Sequence, residues 1–205
     1  MEIINQTNEI FKKPKAIQPL LKASVRGLWQ TMGNSLCTGK EPYKIDKLTE
    51  KFISYFSNET QKGLAIVGEK GIGKSLNFLI YQRIRTTMGE GMNIMVLEVK
   101  EIEHKFKLEG QPFIDELVKV KELVINDVGT DSSVIKHYGS NIELVNEILT
   151  LRYIKWQKLG GAFKTHISSN LVEGQIEKMY GDRIYDRFKE MFNTIVSDNL
   201  ISYRK

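Results

Sequence analysis

A chain of 205 residues, 41% hydrophobic and 27% charged, has the size and balance of one globular domain with a short appendage. No apolar run approaches the roughly 20 residues that span a bilayer, and MEIINQTNEI lacks the basic-then-apolar order of a secretory leader. The expectation is a cytoplasmic protein without a membrane partner. A net charge of +5 is mildly basic, and a solvated lysine-rich surface or a nucleic-acid partner accounts for it equally well.

The lone Cys37 excludes an internal disulfide and a cysteine-based zinc site. His104, His137 and His166 have no metal-ligand spacing, which leaves them surface or packing roles.

In chain order, FKKPKAIQPLLKASVRGLWQ (residues 11–30) carries Lys12, Lys13, Lys15, Lys22 and Arg26 without an acidic residue, and Pro14 and Pro19 interrupt any long helix. TMGNSLCTGKEPYKID is rich in turn formers and reads as a linker. Residues 1–42 are therefore expected to be a basic extension, with the folded domain at 43–205. LTEKFISYF has helical spacing at Leu48, Phe52 and Phe56.

A strand–helix alternation follows. GLAIV (63–67) reads as a buried strand, and SLNFLIYQRIRTTM (75–88) as an amphipathic helix with Leu76, Leu79, Ile80 and Ile84 on one face. NIMVLEV (93–99) and LVIND (123–127) are two further strands. SNIELVNEILTLRYIKWQ opens with Ser140 and Glu143 in capping-box register, then repeats Ile142, Val145, Leu149, Tyr153 and Trp156 at helical spacing. AFKTHISSN (162–170) and NTIVS (193–197) complete five strands. Strands joined by helices of this length predict an α/β fold, a parallel five-stranded sheet sandwiched between helices.

GEKGIGKS matches G-x-x-x-x-G-K-[ST] without substitution, between an apolar strand and an amphipathic helix. Gly68, Gly71 and Gly73 let the backbone turn tightly and aim its N–H groups, including those of Glu69, Lys70 and Ile72, at phosphate oxygens. The helix that begins near Lys74 adds its positive dipole end next to Ser75 and Leu76. Lys74 is expected on the β- and γ-phosphates and the Ser75 hydroxyl on magnesium, which makes ATP and Mg2+ the expected cofactors.

In KELVINDVGT (121–130) an apolar strand runs into Asn126-Asp127. An apolar strand, two acid-type residues and then apolar-Gly resembles the "DDLG" or "DEIG" signature of DnaC-type helicase loaders and their relatives, the IstB transposition ATPases. Both belong to the AAA+ class of P-loop ATPases. The resemblance implies that Asn126 occupies the first, magnesium-holding acidic position and Asp127 the second, which polarises the attacking water. HISSNL is similar to the family's "TSNL", and this implies that Asn170 contacts the γ-phosphate or the lytic water. YGDRIYDRF resembles G-x-R-x-x-x-R and implies that Arg183 acts as an arginine finger on a neighbouring subunit, with Arg187 beside the nucleotide one turn later. An ordinary surface helix in which Arg183 pairs with Asp186 is the alternative.

The resemblance covers residues 43–205 and implies an ATPase that self-associates through Arg183 in trans and works with a replicative helicase and single- or double-stranded DNA. An IstB-like transposition helper and a nucleotide-switch protein with weak hydrolysis remain as alternatives. The Asn126 amide departs from the pattern: it is neutral and offers one carbonyl oxygen, so hydrolysis is expected to be slow. In the basic stretch, Leu20, Leu21, Leu28 and Trp29 offer anchors for a helicase partner, while DNA contact or disorder accounts for the stretch equally well. Lys100, Lys105 and Lys107 follow the second strand, where a DNA contact and a lysine-rich surface helix compete.

Overall fold

The computed structural model describes residues 22–37, 42–58, 60–89, 94–130, 135–137, 140–171 and 173–197. Five strands form one sheet in the order β2-β3-β6-β1-β7, and every neighbouring pair is parallel. They are β1 (Gly63–Val67), β2 (Ile94–Glu98), β3 (Glu122–Val128), β6 (Lys164–Ser169) and β7 (Phe192–Val196). β1 is buried along its whole length and β6 after its first residue, as strands covered on both faces require.

Side-chain alternation divides the core into two layers. Leu64, Ile66, Val124 and Ile94 pack against α1 (Lys22–Leu36), α2 (Lys47–Ser57) and α3 (Lys74–Thr87). Ala65, Val67, Leu123, Ile125, Leu97 and Ile167 pack on the opposite face. There they meet α4 (Val99–Glu109), α5 (Gln111–Lys119), α6 (Leu144–Leu159), α7 (Glu173–Tyr180) and α8 (Asp182–Met191). The expected parallel sheet between helix layers is the observed fold.

Several local expectations are corrected. Part of the expected linker is helix: α1 continues to Leu36, and Trp29 is 1% exposed. Trp29 lies within reach of the rings of Phe52, Phe56 and Tyr81, so its indole is core rather than a partner anchor. Leu28 is partly buried against the same cluster, and Leu20 and Leu21 lie outside the described residues. The expected boundary near residue 42 therefore cuts through packed structure. Prolines before the helix are compatible with it, and Gly33 within it lets the Tyr43 ring lie against the backbone, where a Cβ would meet Tyr43 Cδ1 at 2.2 Å.

Ser140 caps no helix. Ser140–Ile142 is strand β5, paired antiparallel with β4 (Ile135–His137), and α6 starts at Leu144 with Glu143 as its N-cap. Cross-strand pairing occupies the backbone that the capping box would have used. On α3 the buried arc is Asn77, Phe78, Ile80, Tyr81 and Ile84, which leaves Leu79 41% exposed. The aromatic layer from α1 and α2 turned that helix away from the face its aliphatic residues suggested.

Candidate functional site

The C-terminal edge of the sheet gathers the residues of interest. GEKGIGKS joins β1 to α3, with Gly71 at φ 85° and Gly73 at φ 90°, both left-handed conformations that glycine adopts without steric cost. Ile72 is 1% exposed and anchors the loop in the core. Glu69 and Lys70 are exposed at its outer rim, and Ser75 and Leu76 are half-buried on the first turn of α3.

Lys74 is 5% exposed. Its Nζ donates to the carbonyls of Gly68 and Glu69 at 2.7 Å each, and to Asn170 Oδ1 at 2.8 Å. A single ammonium thus ties the loop after β1 to Asn170 at the end of β6. Behind the loop, Asn77 Nδ2 donates to the Gly73 carbonyl, while its Oδ1 accepts from Trp29 Nε1 (2.8 Å) and the Tyr43 hydroxyl (3.0 Å). Sequence reasoning missed this brace. Its signal was an asparagine on the apolar face of an amphipathic helix.

β3 carries a bulge. Ile125 pairs with Ile167 and Val128 with Ser169, so two residues, Asn126 and Asp127, oppose Ser168 alone. Asp127 adopts φ 60°, the one positive φ at a non-glycine among the described residues. Ser168 Oγ holds the bulge: it accepts from the Asp127 backbone N–H (3.1 Å) and donates to Asn126 Oδ1 (2.8 Å). Thr130 closes the turn, its hydroxyl donating to the Asp127 carbonyl at 2.7 Å.

The expectation of Asn126 as a metal ligand therefore needs correction. Its side chain is 3% exposed and its carbonyl oxygen serves Ser168. Asp127, half-buried, keeps its carboxylate.

Ser75 and Asp127 are hard oxygen donors of the kind magnesium takes, and that ion uses one or two protein ligands alongside phosphates and water.

The two arginines diverge. Arg183 is exposed on the first turn of α8, and Asp186 pairs with Lys189 at 2.7 Å, not with Arg183. Arg187 turns to α6 instead: its Nη1 donates to Thr150 Oγ1 (2.7 Å), and its guanidinium lies 5.2 Å from the Tyr153 ring centroid. Those contacts dock α8 on α6, which corrects the expectation that Arg187 meets the nucleotide. On α4, Lys100 pairs with Glu103 and Lys105 with Glu101, the pattern of a surface helix.

His166 does pack. It is fully buried in β6, with its Nδ1 accepting the Leu64 N–H at 3.1 Å and its ring surrounded by Tyr55, Phe56, Phe78 and Tyr81. His104 is exposed, and the side chain of His137 lies outside the described set.

No protein-family model matches this chain, and no curated protein matches it in sequence. Solved structures match its fold. One, described as a primosome component from Streptococcus pyogenes serotype M3, is 17% identical with a TM-score of 0.56, over 76% of this chain and 83% of that one. The DnaI structure is 19% identical with a TM-score of 0.53, over 83% and 93%. AMPPCP-bound DnaA from Aquifex aeolicus is 15% identical with a TM-score of 0.54; the match covers 80% of this chain and 49%, about half, of that longer protein. The chain thus shares the parallel α/β fold of these structures.

Proposed function

We propose that this protein is an AAA+ ATP switch of DNA replication, a loader of the DnaC/DnaI kind that couples ATP binding and slow hydrolysis to assembly with a replicative helicase on DNA. The observation that carries the reading is the Lys74 ammonium, buried between the phosphate-loop carbonyls and Asn170. Structural likeness to DnaI and to the primosome component supports the choice of replication over other P-loop functions.

On this reading the backbone N–H groups of residues 69–75 and the α3 dipole hold the phosphates. Lys74 exchanges its loop carbonyls for β- and γ-phosphate oxygens, and Asn170 orients the γ-phosphate or the attacking water. Ser75 and Asp127 would hold magnesium, which supplies charge neutralisation between the phosphates when bound. Asp127 also accepts a hydrogen bond from the attacking water. Arg183, exposed on α8, is free to reach a nucleotide on a second copy of the chain, so ATP would favour an oligomer.

Phosphate release with and without single-stranded DNA, together with pull-downs against a replicative helicase and a transposase, tests the reading. DNA-stimulated release that Lys74→Ala abolishes, with recovery of the helicase, is expected; recovery of the transposase alone would move the protein to the IstB-like role. The reading of a nucleotide switch with weak hydrolysis has its own support in the neutral, engaged Asn126. ATP binding without measurable turnover is its signature.

A further inference from the structure

Asn126 leaves the metal-facing end of β3 without a carboxylate, and the next strand carries one at the same level. Glu98 ends β2 and pairs with Asn126 in the parallel ladder, which sets their backbones about 4.8 Å apart. Residues paired in a parallel sheet share a face. Ile66 pairs with Ser168, and Ser168 bonds to the side chain of Asn126, so Ile66, Ser168, Asn126 and Glu98 form one row across the sheet. Ile66 belongs to the layer that packs on α3. The row therefore lies on the α3 side of the sheet, with Glu98 three strands from β1.

The Glu98 side chain is exposed, although its strand neighbour Leu97 is buried. Glu98 occupies the N-cap position of α4, yet its carboxylate makes no capping hydrogen bond. The nearby lysines of that helix are paired elsewhere, Lys100 with Glu103 and Lys105 with Glu101. Among the described residues Glu98 is thus an uncommitted carboxylate, beside the position where the sequence lacks one.

We infer that Glu98 supplies the second carboxylate of the nucleotide site, accepting hydrogen bonds from water bound to the magnesium in place of the missing side chain at residue 126. The inference rests on the nucleotide-binding reading above. The substitution moves the negative charge by one strand, keeps it on the same face, and leaves Asn126 to hold the bulge through Ser168. The glutamate stem adds one methylene of reach, and bridging water would span the rest of the displacement.

The test uses the full chain with a saturating non-hydrolysable ATP analogue and Mn2+ as the paramagnetic probe, read by electron paramagnetic resonance. Glu98→Gln should weaken Mn2+ binding about tenfold, the scale on which partners of metal ligands act. Analogue binding measured without metal should be unchanged. Asn126→Asp in the Glu98→Gln background should restore Mn2+ affinity, because the carboxylate returns on the adjacent strand; a merely structural role for Glu98 would not be repaired in this way.

Wild-type Mn2+ affinity in Glu98→Gln overturns the inference. A loss that Asn126→Asp leaves unrepaired also overturns it and assigns Glu98 to the start of α4. If the analogue fails to bind the wild type, or binds Lys74→Ala equally well, the nucleotide reading itself fails and the inference falls with it.

Discussion

Lys74 Nζ lies 2.8 Å from Asn170 Oδ1, so the phosphate loop after β1 and the polar tip of β6 are joined directly. The same lysine also donates to the loop carbonyls of Gly68 and Glu69. Incoming phosphate oxygens would replace neutral acceptors with charged ones, which strengthens each bond. On the proposed function Asn170 would be released in the same step to face the γ-phosphate. Asn170→Ala should therefore lower turnover roughly 10²-fold, as loss of one transition-state donor does, with much smaller change in ATP affinity. Steady-state kinetics beside equilibrium binding separates the two.

Asn126→Asp should raise turnover, since it restores a carboxylate at the first acidic position. It also places a charge at a site 3% exposed to solvent. Without magnesium the variant should melt at a lower temperature than wild type, and magnesium with nucleotide should recover the difference. An unchanged rate would mean that Asp127 alone already supplies the acidic function.

Ser168→Ala removes the hydroxyl that holds the β3 bulge and leaves the Asp127 N–H and Asn126 Oδ1 without that partner. The expected cost is about 1–3 kcal/mol, read as a lower urea midpoint at unchanged m-value. Turnover should fall too, because the left-handed Asp127 backbone depends on the same contact.

Trp29→Ala empties a core site and should cost about 3–5 kcal/mol. It also removes the indole donor to Asn77, which braces the Gly73 carbonyl. Weaker ATP binding at temperatures where the variant remains folded is the specific expectation. Calorimetry at low temperature tests it.

His166 predicts a pH dependence. Complete burial, then the cations Lys164, Arg152 and Arg85, hold its pKa well below the ordinary value of 6.5. Its Nδ1 accepts from Leu64, so the neutral ring carries its proton on Nε2. The unfolded chain binds a proton below that ordinary value while the folded chain does not. The contribution is thus fully present above about pH 6.5 and is lost as pH falls, at up to about 1.4 kcal/mol per pH unit. His166→Asn, which keeps an acceptor near Nδ1, should flatten that slope in urea titrations between about pH 5 and 6.5.

Much of this was legible in the chain itself. GLAIV, the glycine spacing and the helix after Lys74 specify the phosphate loop locally, and the parallel sheet follows from strands too far apart for hairpins. Asn170 was found by likeness to a motif and lies against Lys74. What escaped depends on contacts distant in sequence. Trp29 belongs to the core because α2 and α3 present Phe52, Phe56 and Tyr81 to it, which no local pattern announces. Ser140 pairs with His137 across a hairpin rather than capping a helix. Arg187 serves Thr150, and Glu98 became visible only through its register with Asn126.

The central claim is that the Lys74 loop binds a nucleoside triphosphate. Its most direct test is calorimetric titration of a non-hydrolysable ATP analogue with magnesium into the wild type and Lys74→Ala. Saturable binding at one site per chain, lost in the variant while its melting temperature is retained, is the predicted result. Equal binding by both proteins, or none by the wild type, would contradict it.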